Sequence, residues 1–235
     1  MLKPIPTDYP RIRRVSGFQE LITATLNNGV NALVWERSLP GDFGEVVNRL
    51  GAGEGIVTLE EPQLLALPVS EAGRQAIEIL LADQHLLREH NLAPALNCIH
   101  NYPRDEQPGP VSTDVFSFHA DSAPIKADTW LCTYHGASSE GLRNEEAQRR
   151  PDHPATRREL LKLYGGNDDS GFCEFLKENC YDLHYAARPE AQTFSFGLGN
   201  LWRIAIDWPG CPVPPCIHRA PQQWPGQPPR LLLIS

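Results

Sequence analysis

The sequence predicts a mainly β domain with α additions: a β-sandwich or jelly-roll core, an N-terminal helical layer and a helical insertion. Three observations predict it. Short runs rich in β-branched and aromatic residues recur in the second half, at residues 111–120, 129–134, 192–196, 201–206, 216–219 and 230–234. Gly- and Pro-rich turns separate the later ones, at Gly197-Leu198-Gly199-Asn200, Trp208-Pro209-Gly210 and Trp224-Pro225-Gly226. The first part of the chain instead carries helix-capping residues ahead of apolar stripes of helical period.

In chain order, residues 1–16 read as an irregular arm broken by Pro4, Pro6 and Pro10, and residues 17–28 as a short helix. Residues 31–37 (Asn-Ala-Leu-Val-Trp-Glu-Arg) read as a strand that Pro40-Gly41 ends. Asp42 caps a helix to about Leu50. Ser70 caps a longer one, whose Ile77, Leu80, Leu81 and Leu87 fall near one face. Residues 1–108 are therefore α-rich, with one or two strands. The character changes after Pro108-Gly109-Pro110, where the core at 109–235 begins. Residues 136–188 interrupt that core with a polar, broken stretch holding helices at 156–164 and 171–179, expected to act as a lid or substrate wall.

A chain of 235 residues with 41 % hydrophobic content can bury one core, so residues 1–235 are taken as a single domain. The net charge of −8 argues against a nucleic-acid partner. No apolar run reaches the ~18 residues of a membrane span. The N-terminal Met1-Leu2-Lys3-Pro4 does not open a secretory signal, so the six cysteines are expected as buried or inert thiols in a reducing cytoplasm.

The chemistry concentrates in Phe118-His119-Ala120-Asp121, at the end of a strand-like run. Residues i and i+2 of a strand share a face, so His119 and Asp121 can reach one ion together. His218, in the strand-like Cys216-Ile217-His218-Arg219, is the best third ligand. Two histidines and one carboxylate on one face of an ion suit Fe(II). Arg230 opens the last apolar run, Leu231-Leu232-Leu233-Ile234, where a buried guanidinium can clamp a carboxylate. Arg203 and Lys126 are the substitutes if it does not. Arg219 adjoins a ligand, points away from the metal in an ideal strand, and is a candidate substrate contact. His135 points away from the site, and His153 and His184 are expected in solvent.

This pattern resembles the iron(II)/2-oxoglutarate-dependent dioxygenase superfamily, whose core is a double-stranded β-helix. Residues 31–37, Phe118-His119-Ala120-Asp121, residues 131–136 (Leu-Cys-Thr-Tyr-His-Gly), His218-Arg219-Ala220-Pro221 and Arg230-Leu231-Leu232-Leu233 together resemble the uncharacterised bacterial family DUF1826. The superfamily resemblance implies His119, Asp121 and His218 as iron ligands. It implies Arg230 as the partner of the distal carboxylate of 2-oxoglutarate, with Tyr134 donating to the same carboxylate. It implies hydroxylation or desaturation, by O2, of a small polar molecule such as an amino acid or a natural-product intermediate. Halogenation would need the position that Asp121 fills. Compared with that family, the stretch from Asp121 to Tyr134 and the spacing from His218 to Arg230 are long. Two other readings are an iron(II) oxygenase that uses no 2-oxoglutarate and a non-catalytic, cupin-like metal-binding protein.

Overall fold

The computed structural model describes residues 3–106, 109–224 and 226–235. Pro108 of the expected core boundary and Pro225 of the expected last turn lie outside the described residues. The chain is mixed α and β, about 29 % helix and 23 % strand. Strand therefore does not predominate as the sequence predicts.

The strands in chain order are β1 (Ile12–Arg14), β2 (Ala32–Trp35), β3 (Ile56–Thr58), β4 (Ala95–Ile99), β5 (Phe118–His119), β6 (Asp128–His135) and β7 (Glu140–Leu142). They continue with β8 (Ala147–Arg149), β9 (His184–Ala187), β10 (Phe194–Ser195), β11 (Leu201–Ala205), β12 (Ile217–Arg219) and β13 (Arg230–Ile234). They form a seven-stranded sheet, β1-β2-β11-β6-β13-β4-β3, and a six-stranded sheet, β10-β7-β12-β5-β9-β8. One of the two curls as a half-barrel. Among the strand pairs of the described residues, β1 and β2 run parallel and the others antiparallel.

Period-two alternation assigns the faces of the larger sheet. Trp130, Cys132 and Tyr134 of β6, with Leu231 and Leu233 of β13, point to a helical layer. That layer holds α1 (Phe18–Thr23), α2 (Phe43–Leu50), α3 (Glu61–Leu65) and α4 (Glu71–Glu89). The Asp42 carboxylate accepts from the Glu45 amide at 2.8 Å to start α2, and Ser70 Oγ accepts from the Gly73 amide at 3.2 Å to start α4. Ala76, Ile77, Leu80, Leu81 and Leu87 of α4 then bury one stripe on the sheet. The opposite face of the sheet, through Ile99, Leu131, Ile204 and Leu232, shares a second core with Phe194, Phe196 and Cys216.

Three expectations need correction. The strand expected at 111–120 is only Phe118–His119, because the Asp114 carboxylate accepts from the amides of Phe116 and Ser117 and folds the preceding segment into a turn. The first part of the chain supplies four strands rather than one or two, all in the larger sheet. Residues 136–188 are not a detached insertion: β7, β8 and β9 belong to the smaller sheet. Its helices α5 (Pro154–Tyr164) and α6 (Ser170–Glu178) bury Leu160, Phe172 and Leu176 against Val111. The six cysteines are free thiols. Burial pushes those of Cys132 and Cys216 up to about 12. Among the described residues, no helix is long and apolar enough to cross a membrane.

Candidate metal centre

Adjacent antiparallel strands β5 and β12 place His119 directly opposite His218. Directly opposed residues share a face of the sheet, and the two rings lie 4.7 Å apart. Asp121, two residues beyond His119, returns to the same side. It is fixed there by its carbonyl, which accepts from the Asp207 amide at 2.8 Å. His119 Nε2 lies 3.8 Å from Asp121 Oδ1, and His218 Nε2 lies 3.8 Å from Asp121 Oδ2. One donor atom from each of the three lies within 4.8 Å of the others. These contacts are too long for hydrogen bonds, and they surround a common point.

The hydrogen bonds behind the three side chains suit a metal. His119 Nδ1 is 2.8 Å from the Ser117 carbonyl, and His218 Nδ1 faces the Cys216 carbonyl at 3.4 Å. A proton on Nδ1 serves those carbonyls and leaves Nε2 with its lone pair turned inward. Thr129 Oγ1 donates to Asp121 Oδ2 at 2.6 Å and sets the carboxylate's rotation. Burial, then the neighbouring His218, lowers the His119 pKa to about 4, so its ring is neutral at pH 7. Burial alone would raise Asp121, but His218, the Thr129 hydroxyl and His119 hold the carboxyl below its ordinary value. A neutral imidazole at His119 beside an ionised carboxylate at Asp121 is what metal ligation needs of these two groups.

The three face a cavity of about 220 Å³ shared with Arg230. Arg230 is 1 % exposed and points into it from the first position of β13. Its guanidinium donates to Tyr102 Oη at 2.5 Å, Ser139 Oγ at 3.0 Å and Thr133 Oγ1 at 3.3 Å. Its Nε is buried with no partner. Among the described residues no carboxylate pairs with it. Burial lowers its pKa, and the pull of Tyr102 and of the Glu140 carboxylate offsets this only in part.

The other sequence-predicted residues are placed differently. Tyr134 is turned to the helical face of the larger sheet, where its hydroxyl donates to Asp83 Oδ2 at 2.6 Å. Alternation along β6 sends Thr133, not Tyr134, toward Arg230, so the expected co-substrate contact is corrected. Arg219 also falls outside the cavity. On β12 it alternates with His218, stacks over Phe118 and is held by Glu140 Oε2 at 2.7 Å. Arg203 donates to Asp128 and to the carbonyls of Leu21, Ile22 and Ala24, and Lys126 lines a separate cleft with it, so neither replaces Arg230. His153 is exposed, as expected.

His184 is the largest departure. It is 5 % exposed, lies opposite His119 in the β5–β9 register and places its ring 5.7 Å from that of His119. Only the strand pairing reveals it. Tyr102 and Ser139 were also missed: each sits in an irregular segment, and no periodicity or spacing links them to Arg230. Of residues 136–188, Ser139 alone lines the cavity. No family model, curated protein or solved structure matches the chain.

Proposed function

We propose that the chain is a non-haem iron(II) oxygenase with a double-stranded β-helix core, and that 2-oxoglutarate is its co-substrate. The observation that carries this reading is the pairing, in one cavity, of a two-histidine, one-carboxylate cluster with a buried guanidinium lacking a carboxylate partner. The donor set favours Fe(II) among common metals. The two facing sheets support the core type, and the resemblance to the 2-oxoglutarate oxygenases agrees with both. Six free thiols suit the cytoplasmic location expected from the sequence.

His119, Asp121 and His218 would hold the ion by Nε2, a carboxylate oxygen and Nε2. Bound Fe(II) supplies O2 activation, with electrons drawn from the oxidative decarboxylation of 2-oxoglutarate to succinate. Arg230 would bind the far carboxylate of the co-substrate, its orphaned Nε–H gaining an acceptor. The Ser139 and Tyr102 hydroxyls, already on the guanidinium, complete a polar end to the cavity opposite the three ligands. Ile99, Leu131 and Leu232 exclude water from its walls, which strengthens the charge pairing inside. Asp121 would keep a carboxylate on the metal, which would favour hydroxylation or desaturation over halogenation.

The test is an anaerobic Fe(II) titration, then O2 with and without 2-oxoglutarate, with succinate measured. One equivalent of Fe(II) and succinate formation are expected. His119→Ala and His218→Ala should each lose stoichiometric binding, and full occupancy in both would remove the triad. O2 consumption without succinate would mean an iron oxygenase with another electron source. Equal Zn(II) binding with no O2 consumption would mean a metal-binding protein.

A further inference from the structure

Resting on that reading, we infer that the substrate is an extended polypeptide segment with basic flanks, which pairs with the free edge of β3 and offers a side chain to the metal. A small polar molecule, expected from the sequence, meets a poor fit. The cavity of about 220 Å³ is below the roughly 300–1,000 Å³ that enclose a drug-sized ligand. A five-carbon diacid spanning from the metal to Arg230 takes most of it. What remains faces Ile56, Val115, Ala220 and Ile234, with Asn97, whose Oδ1 is taken by the Thr58 hydroxyl, as the polar side chain among them. Ile56 and Ile234 are 48 % and 37 % exposed and so form the rim. The oxidised group must enter over that rim while the rest of its molecule stays outside.

Strand β3 is at that rim and ends the larger sheet. Its register with β4 pairs Ile56, Val57 and Thr58 with Ile99, Cys98 and Asn97. The His100 amide donates to the Gly55 carbonyl, and the Leu59 amide donates to the Leu96 carbonyl. In an antiparallel ladder the bonding residues alternate, so residues 55, 57 and 59 serve β4. The N–H and C=O groups of Ile56 and Thr58 therefore point to the open edge. Ile56 and Val57 are 48 % and 37 % exposed, and β3 contains neither Pro nor a charge to guard it. Natural edges usually carry such guards, and an unguarded edge beside a reactive cavity suits strand addition. Ile56 lines the cavity, and Thr58 donates to Asn97, which also lines it. Alternate residues of an added strand would face the same side.

Charge identifies the occupant. Exposed Glu54 and Glu60 flank β3 and have no basic partner among the described residues. A second copy of the chain, paired antiparallel about Val57, would set Glu54 against Glu60 twice, and like charges directly opposed are destabilising. A segment with Lys or Arg on both sides of an apolar centre turns the same positions attractive. In the reaction, a C–H bond of the presented side chain becomes C–OH with one atom of O2. The other atom ends in succinate, and 2-oxoglutarate leaves as succinate and CO2.

The test uses the full chain loaded anaerobically with Fe(II), and synthetic ten-residue peptides with alternating Val and Thr between pairs of Lys or pairs of Glu. Fluorescence anisotropy should give at least tenfold tighter binding of the Lys-flanked peptide. N-methylation of its alternate amides should abolish binding, since strand addition needs those donors. Glu54→Lys with Glu60→Lys, at exposed positions that leave the fold intact, should invert the order and favour the Glu-flanked peptide. Equal binding of both peptides, indifference to N-methylation or no inversion overturns the proposal. So does a dimer in sedimentation that Thr58→Pro dissolves, which would make the occupant a second copy. Succinate formation is measured in parallel with and without peptide; none under either condition counts against the oxygenase reading and leaves the edge measurements to be judged by themselves.

Discussion

Two arginines are buried on opposite sides of the larger sheet, and they are held in opposite ways. Arg37, just beyond β2, sends two parallel hydrogen bonds of 2.8 and 2.7 Å to the Asp83 carboxylate of α4, and a third to the Gly199 carbonyl. Tyr134 adds its hydroxyl to the same carboxylate. Arg230 has three neutral hydroxyl partners, and its Nε has none. The fold pairs the first charge with a carboxylate and leaves the second with no carboxylate in contact among the described residues. Burying an unpaired cation costs several kcal/mol, which folding offsets elsewhere. The difference separates a side chain that locks helix to sheet from one held ready for a ligand.

The sharpest way to break this comparison is at Asp83. Asp83→Ala leaves the Arg37 guanidinium buried and unpaired, which should destabilise the protein by about 3–5 kcal/mol in urea unfolding. A loss below about 1 kcal/mol would mean that Arg37 reaches water in the variant and that the contrast is false.

The mirror experiment is Arg230→Met. It removes an unpaired buried charge, so urea unfolding should report unchanged or higher stability. Affinity for 2-oxoglutarate should fall by about 2–5 kcal/mol, roughly 30-fold to several thousand-fold, with Fe(II) binding retained. Should Arg230→Met be as unstable as Asp83→Ala while co-substrate affinity stays put, the two arginines would have the same structural role.

The sequence carried one half of this contrast and hid the other. The i, i+2 spacing of His119 and Asp121 is a local pattern, and His218 stands in a strand-like segment of its own, so the triad was legible. Arg230 was legible because it begins a long apolar strand, where a cation is out of place. Arg37 stood in plain view at the end of a predicted strand, yet its partner Asp83 lies on a helix 46 positions away. No spacing rule links them. Tyr134 was misassigned for the same reason: its position after the metal motif was legible, but which face of β6 it occupies depends on both layers of the fold. His184 and the strands β7 and β9 lie in a stretch whose sequence is polar and broken. Those strands are only three and four residues long, and their burial comes from pairing rather than from an apolar run.

Two tyrosines extend the comparison to its smallest expected effects, since each attends one of the arginines. The Tyr134 hydroxyl is buried, and burial above all raises its pKa well beyond the ordinary value, so it remains a proton donor to Asp83. Tyr134→Phe removes a hydrogen bond to a charged group, worth about 1.5–3 kcal/mol, while both Arg37 bonds to Asp83 persist. Stability should fall by that amount, and neither Fe(II) affinity nor the KM for 2-oxoglutarate should move. Tyr102 stands at the other pole. Its hydroxyl accepts from Arg230 and keeps its own proton free for an anion in the cavity. Tyr102→Phe should lower affinity for 2-oxoglutarate by about 0.5–1.5 kcal/mol, a change of several-fold, and leave Fe(II) binding alone. The pair is read as a crossed design: unfolding midpoint against co-substrate KM for each variant. A rise in KM in Tyr134→Phe would return that residue to the cavity side of the sheet, against the alternation of β6. An unchanged KM in Tyr102→Phe would confine the anion to the guanidinium and Ser139.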